Sequence, residues 1–328
     1  MRKKVAFWIV MILVNVSLGV VSVRTYRDLN ARIANFETHQ NNYYKTYAEM
    51  QKVLGFNSEY DFNNILVTEQ DLNTFFNYKV YVRTTVVLGV PDKLKELISG
   101  SGQSATKISE APAMVIGRHV LMASHVSDAE IFSRQTIGLM TSEGALGITI
   151  SLKVLKYSIA LLAPDGSKHS LKELYRNKEK DFALFEMPEN VSALNFPFEI
   201  GKNDDLKVGH FIYLNGKPKI NSEIARPGFV TSLVSASPSG ALLEVKKNDN
   251  EFGLSQATDQ GDSGSPIVAF RDGRPELVGI YLGWIGKSDD NGKNTRSRAL
   301  KINVAVDEIK AKLGIDLREI QREILENK

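Results

Sequence analysis

The sequence predicts an all-β body set between helical ends, and three observations carry that prediction. From about Tyr78, short apolar and β-branched runs such as YKVYVRTTVVLGV, HVLMASHV, DFALFEM and SPIVAF are separated by turn residues, the spacing of a sandwich or barrel. Ahead of this body stand a long uncharged run and a segment with three- and four-residue apolar steps. Behind it, INVAVDEIKAKLGIDLREIQREIL returns to helical period, broken at Gly314.

Size and composition bound the function. The chain has 328 residues, 43% hydrophobic and 24% charged, ordinary for a globular protein. With the N-terminal segments set aside, roughly 250 residues remain, enough for one large β domain or two barrels sharing a core. A net charge of +3 argues for neither a nucleic-acid partner nor an acidic substrate. There is no cysteine, which excludes disulfides, thiolate metal sites and cysteine nucleophiles and leaves the compartment open. No spacing of ligand residues suggests a metal, and no cofactor motif is present.

The segments follow in order. Residues 1–23 read as a membrane signal-anchor: MRKK precedes Val5–Val23, nineteen residues without a charge. As a helix this run measures about 28 Å, close to the hydrocarbon thickness of a bilayer. Basic residues before it keep the N-terminus in the cytoplasm and send the remainder across, to the periplasm or exterior. The competing reading is a cleaved signal and a secreted protein, disfavoured by the length of the run and the lack of a clear cleavage site before Arg24. Residues 24–56 read as a helical stalk, because Tyr26, Leu29, Ile33, Phe36, Gln40, Tyr43, Tyr47, Met50 and Leu54 keep heptad spacing. That seam over 26–54 either pairs with copies of itself or packs on the body of its own chain. Residues 57–77 are expected to be a linker, 78–313 the β domain with a helical insert at PDKLKELI, and 314–328 a C-terminal helix.

DQGDSGSP, residues 259–266, places Ser263 between glycines in a tight turn. Upstream, GRHVLMASHV is a strand ending at His125, and KDFALFEM is another strand led by Asp181. The order His, Asp, Ser, with gaps of 56 and 82 residues, together with these local contexts, resembles the chymotrypsin-type serine proteases. Within them it is most similar to the bacterial branch, the glutamyl endopeptidases and the protease domains of the HtrA/Deg type. VGHFIYLNGKP…EIARPGFVTSLV and SPIVAFRDGRPELVGIYLGW add to the resemblance, which covers roughly residues 78–313.

The resemblance implies a double β-barrel and a membrane-anchored serine endopeptidase acting on protein or peptide substrates. Ser263 would be the nucleophile, His125 its general base and Asp181 the group that orients the imidazole. Backbone N–H groups of Gly261 and Ser263 would form the oxyanion hole. Ala257, Thr258, Tyr281, Leu282 and Gly283 would frame the substrate pocket. Two departures stand out: no Ile-Val-Gly-Gly segment is present to pair with Asp262, and Leu282 replaces a serine that supports the catalytic aspartate in digestive enzymes. The alternative reading is a catalytically inactive protease-like module used for binding or scaffolding.

Overall fold

The computed structural model describes residues 69–91, 105–141, 144–163, 166–191, 193–216, 225–239, 244–256, 258, 261–271, 274–284 and 297–327. The expected anchor over 5–23, the expected stalk over 24–56, most of the expected PDKLKELI insert and Ala257 lie outside the described residues. Residues Asn63–Lys328 form one compact unit. No described helix is long and apolar enough to cross a membrane.

Residues 69–77, expected to belong to a linker, instead form helix α1 (Glu69–Asn77). Nine residues are too few for a helix to persist alone in water, so tertiary packing sustains this one. Phe75 is fully buried, its ring 6.0 Å from that of Phe198, and Phe76 meets Tyr213 edge-on at 6.4 Å.

The first half of the domain follows. It contains β1 (Tyr81–Gly89), β2 (Ala105–Pro112), β3 (Met114–Ile116), β4 (His119–Ala123) and a short helix α2 (Ala129–Ser133). Then come β5 (Arg134–Thr141), β6 (Gly144–Ser151), β7 (Lys153–Leu162), β8 (Lys168–Ser170), β9 (Lys172–Asn177) and β10 (Phe182–Glu186). In β1 the residues Val82, Thr84, Val86 and Leu88 alternate inward, which is why that run is a strand with one buried face. Two four-stranded antiparallel sheets result, β2-β1-β7-β8 and β3-β4-β10-β9, with β5–β6 as a separate hairpin.

The second half closes on itself. Its strands are β11 (Glu199–Ile200), β12 (Phe211–Asn215), β13 (Ala225–Ser232), β14 (Ser235–Ser239), β15 (Glu244–Asn248), β16 (Glu251–Leu254), β17 (Pro266–Arg271), β18 (Arg274–Trp284) and β19 (Ser297–Lys301). The order β18-β17-β12-β13-β16-β19 is sealed by a β18–β19 pairing, so six antiparallel strands form a barrel without an edge. Ile212, Leu214, Val230, Phe252, Ile267 and Tyr281 fill its interior. A larger cluster joins the halves, setting Phe182, Phe185 and Phe196 against Val268, Leu277 and Ile280.

Helices α3 (Ile302–Leu313) and α4 (Leu317–Glu326) finish the domain. Gly314 takes φ +71° and its N–H reaches Lys310 O at 2.9 Å, the left-handed stop that the sequence places there. Asp316 caps α4 by accepting from the Arg318 and Glu319 N–H groups. Gln321, almost fully buried, donates to Phe196 O and Phe198 O at 2.7 and 2.8 Å, which fixes α4 to the strand connection.

Candidate active site

Register brings His125 and Asp181 together. Strands β4 and β10 pair antiparallel with Ala123 opposite Phe182, so the chain leaving one strand meets the chain entering the other. Ser124 N–H donates to Asp181 O at 3.1 Å, and the next residue opens a single 3-10 turn, His125–Ser127. There the His125 N–H donates to Asp181 Oδ1 at 2.9 Å, and His125 Nδ1 lies 2.7 Å from Asp181 Oδ2. A carboxylate only accepts, so Nδ1 carries a proton in this contact. Asp181 adopts φ +60°, a left-handed conformation that aspartate tolerates better than most side chains.

Two residues beyond the sequence reading hold this pair in place. Arg176, on β9, is mostly buried beneath the histidine turn, with its guanidinium 5.7 Å from the Phe185 ring centroid. Its Nη1 donates to Ser124 O at 2.8 Å and to Ser127 Oγ at 3.1 Å, so the loop bearing His125 is bound at both ends. Glu308, on α3, receives Asn177 Nδ2 and Lys180 Nζ at 2.6 Å each, and Tyr175 Oη as well. These donors flank the β9–β10 turn that ends in Asp181. Burial alone would raise the Glu308 carboxyl, but hydrogen bonds from Lys180, Tyr175 and Asn177 outweigh it and hold the group below its usual 4.5.

A depressed folded-state pKa means that the clasp stabilises fully above about 4.5 and is lost as pH falls through the folded value. Glu308→Gln is therefore expected to cost about 1–3 kcal/mol at neutral pH in urea unfolding, shrinking as the solution is acidified. A cost independent of pH would show that the charge of Glu308 is immaterial.

Ser263 lies in the turn entering β17. Gly261 and Gly264 take φ +104° and +92°, angles that favour glycine. Gly264 N–H donates to Tyr281 O at 2.8 Å, and Ser265 N–H to Asp262 O at 2.9 Å. A side chain at Gly264 would collide with Pro112 O and meet Ala123 N at 3.7 Å, so this turn rests against the end of the strand leading to His125. Ser263 Oγ lies 3.5 Å from Leu282 O, and among the described residues no hydrogen bond joins it to His125. Catalytic hydrogen bonds of this kind are commonly long until substrate is bound. Neither the Gly261 nor the Ser263 N–H has an acceptor among the described residues.

Asp262 is fully buried, and the Arg226 guanidinium from β13 pairs with its Oδ1. An internal arginine thus supplies the cation for which the sequence offers no new N-terminus. Gly216 presses on the same pair, because a Cβ there would strike Asp262 Oδ1 and Arg226 Nη2. The signal for Arg226 was present in the sequence as a charge within the strand pattern EIARPGFVTSLV, but its partner lies 36 positions away.

The expected pocket residues divide. Tyr281 and Thr258 meet directly, Tyr281 Oη donating to Thr258 Oγ1 at 2.5 Å, with Ser297 Oγ 2.9 Å from Thr258 Oγ1. The Tyr281 ring belongs to the barrel interior, where burial raises its hydroxyl pKa to about 12. Leu282 points its side chain into the shared core, and Gly283 takes φ +141° beside a bulge in β18.

A family model described as a trypsin-like peptidase domain matches residues 100–280, more than half of the chain. No match is found among curated proteins. Among similar solved structures is a variant of the HtrA-type protease AlgW with a decapeptide, at 16% identity and TM-score 0.46, covering 72% of this chain and 64% of that one. Another is the Rv3671c protease from M. tuberculosis in its active form, at 14% identity and TM-score 0.44, covering 77% of this chain and 87% of that one. The chain therefore spans a little under two thirds of the AlgW chain that it matches.

Proposed function

The chain belongs to the trypsin-like peptidase domain family, and from that premise we propose that it is a serine endopeptidase working through Ser263, His125 and Asp181. The observation that carries the reading is the Asp181 carboxylate, which takes the backbone N–H and the Nδ1–H of His125 on its two oxygens. His125 Nε2 accepts the Ser263 Oγ proton as Oγ bonds to the scissile carbonyl carbon. The developing oxyanion is received by the Gly261 and Ser263 N–H groups, each such donor being worth about 2.7–4 kcal/mol. Nε2 then passes the proton to the leaving amine. Water repeats the sequence on the acyl-enzyme, releasing the carboxylate product and restoring the serine.

The substrate is a protein or peptide whose side chain enters beside Thr258 and Gly283. The enzyme is anchored through residues 5–23 with its domain outside the cytoplasm, a reading supported by the uncharged run after Arg2, Lys3 and Lys4. The heptad-spaced residues over 26–54 support self-association.

The full chain, expressed in a bacterial host and fractionated, tests these points together with a peptide library read by mass spectrometry. Cleavage by the washed membrane fraction, with a chain that still starts at Met1 or Arg2, is the expected result. Cleavage confined to the soluble fraction, with a chain starting near Arg24, would overturn the anchor and keep the peptidase. A library left intact by folded protein in both fractions would overturn the peptidase.

A further inference from the structure

The last turn of helix α1 and Tyr78, just beyond its end, are tied to the two sides of the nucleophile turn, and we infer that this segment is a working part of the active site, with Asn215 and Tyr78 as positioning residues for the oxyanion donors. This rests on the serine-peptidase reading for its effect on turnover, though not for its effect on the turn itself. One arm runs through Asn215, the buried last residue of β12. Its Nδ2 donates to Phe75 O at 2.5 Å, which also accepts the Tyr78 N–H at 3.2 Å, and to Tyr78 O at 2.8 Å just past the helix end. The next residue, Gly216, touches Asp262 and Arg226 so closely that no side chain fits between them. Asp262 immediately precedes the nucleophile.

The other arm runs through the Tyr78 side chain. Its hydroxyl accepts from Val115 N–H at 2.8 Å and lies 3.4 Å from Ala113 O, while its ring meets Phe196 edge-on at 5.2 Å. Ala113 follows Pro112, whose carbonyl oxygen abuts Gly264, the residue immediately after the nucleophile. The chain therefore grips Asp262 from one side and Gly264 from the other, and both grips end on four consecutive residues, Phe75–Tyr78. Gly261 and Ser263 must aim their N–H groups within a fraction of an ångström to stabilise an oxyanion, and misplacement by about 1 Å costs about 100-fold in rate. A segment outside the sheets, which no triad motif marks, thus sets the geometry on which the rate depends.

Two substitutions in the full-length protein separate the arms. Asn215→Ala removes the amide donor. Tyr78→Phe keeps the ring on Phe196 and removes only the hydroxyl. Each is expected to lower kcat about 10–100-fold with KM within about threefold, and to weaken a peptide boronate in step with kcat/KM, as loss of oxyanion stabilisation requires. Hydrogen–deuterium exchange supplies a readout independent of turnover. The Gly264 and Ser265 amides, which donate to Tyr281 O and Asp262 O, are expected to exchange faster in both variants while the β4 and β10 amides keep their protection. Exchange unchanged over 261–265 would overturn the inference, even if the wild-type chain hydrolysed nothing. Exchange raised equally across the whole domain would overturn it too, by showing general destabilisation.

Discussion

Ser263→Ala and His125→Ala are each expected to lower kcat/KM for peptide hydrolysis about 10⁴-fold or more, with the far-ultraviolet circular dichroism and unfolding midpoint nearly unchanged. The reason is chemical. Without Oγ there is no acyl acceptor, and without Nε2 the hydroxyl keeps its proton at neutral pH. Members of such a constellation act as a unit, so the double variant is expected to be barely worse than either single one. The residual rate reflects binding and the oxyanion donors, which neither change touches. Stability is spared because both side chains are only partly buried, with His125 30% exposed. Near-wild-type hydrolysis by Ser263→Ala would contradict the assignment of the nucleophile.

Arg226→Ala is expected to have the largest effect on stability, about 3–5 kcal/mol in urea unfolding, because it strands a charge in the interior. Asp262 has no exposed surface, and Gly216 leaves no room for its carboxylate to turn away. The same change is expected to depress turnover more than the loss of folded protein explains, since Asp262 O anchors the Ser265 N–H and hydroxyl behind Ser263. Arg226→Met combined with Asp262→Asn is expected to recover much of the stability, as a buried ion pair is costly mainly when broken. If Arg226→Ala were as stable as wild type, the pair would be an ornament of the site rather than its support.

Much of this architecture was legible in the residues themselves. Alternation in YVRTTVVLG, the helical period after Ile302 and the glycine stop at 314 are local signals, and local signals survive reading along a single chain. The two glycines around Ser263 announced a tight turn, and both take positive φ there. What escaped depends on contacts between distant positions. EQDLNTFFN is short and mostly polar, and it is a helix because Phe75 finds Phe198 more than a hundred residues away. Asp181 reads as the start of a strand, whereas it occupies a left-handed position held by Ser124 and the turn before it. Tyr281 looks like a pocket residue from its place after Ser263, yet barrel closure turns its ring into the interior and leaves only its hydroxyl to meet Thr258. Arg226, Arg176, Glu308 and Asn215 carry no motif, and only the register of the sheets reveals what they hold.

Reaction of the full chain with a fluorophosphonate, followed by peptide mapping of the adduct, tests the central claim most directly. Such a reagent phosphonylates a serine hydroxyl only where a base removes its proton and donors receive the oxygen anion. The account predicts one phosphonyl group per chain, located on Ser263, forming quickly in the wild type and lost in both Ser263→Ala and His125→Ala. A folded wild-type chain that takes up no label, or an adduct on any serine other than Ser263, would contradict it.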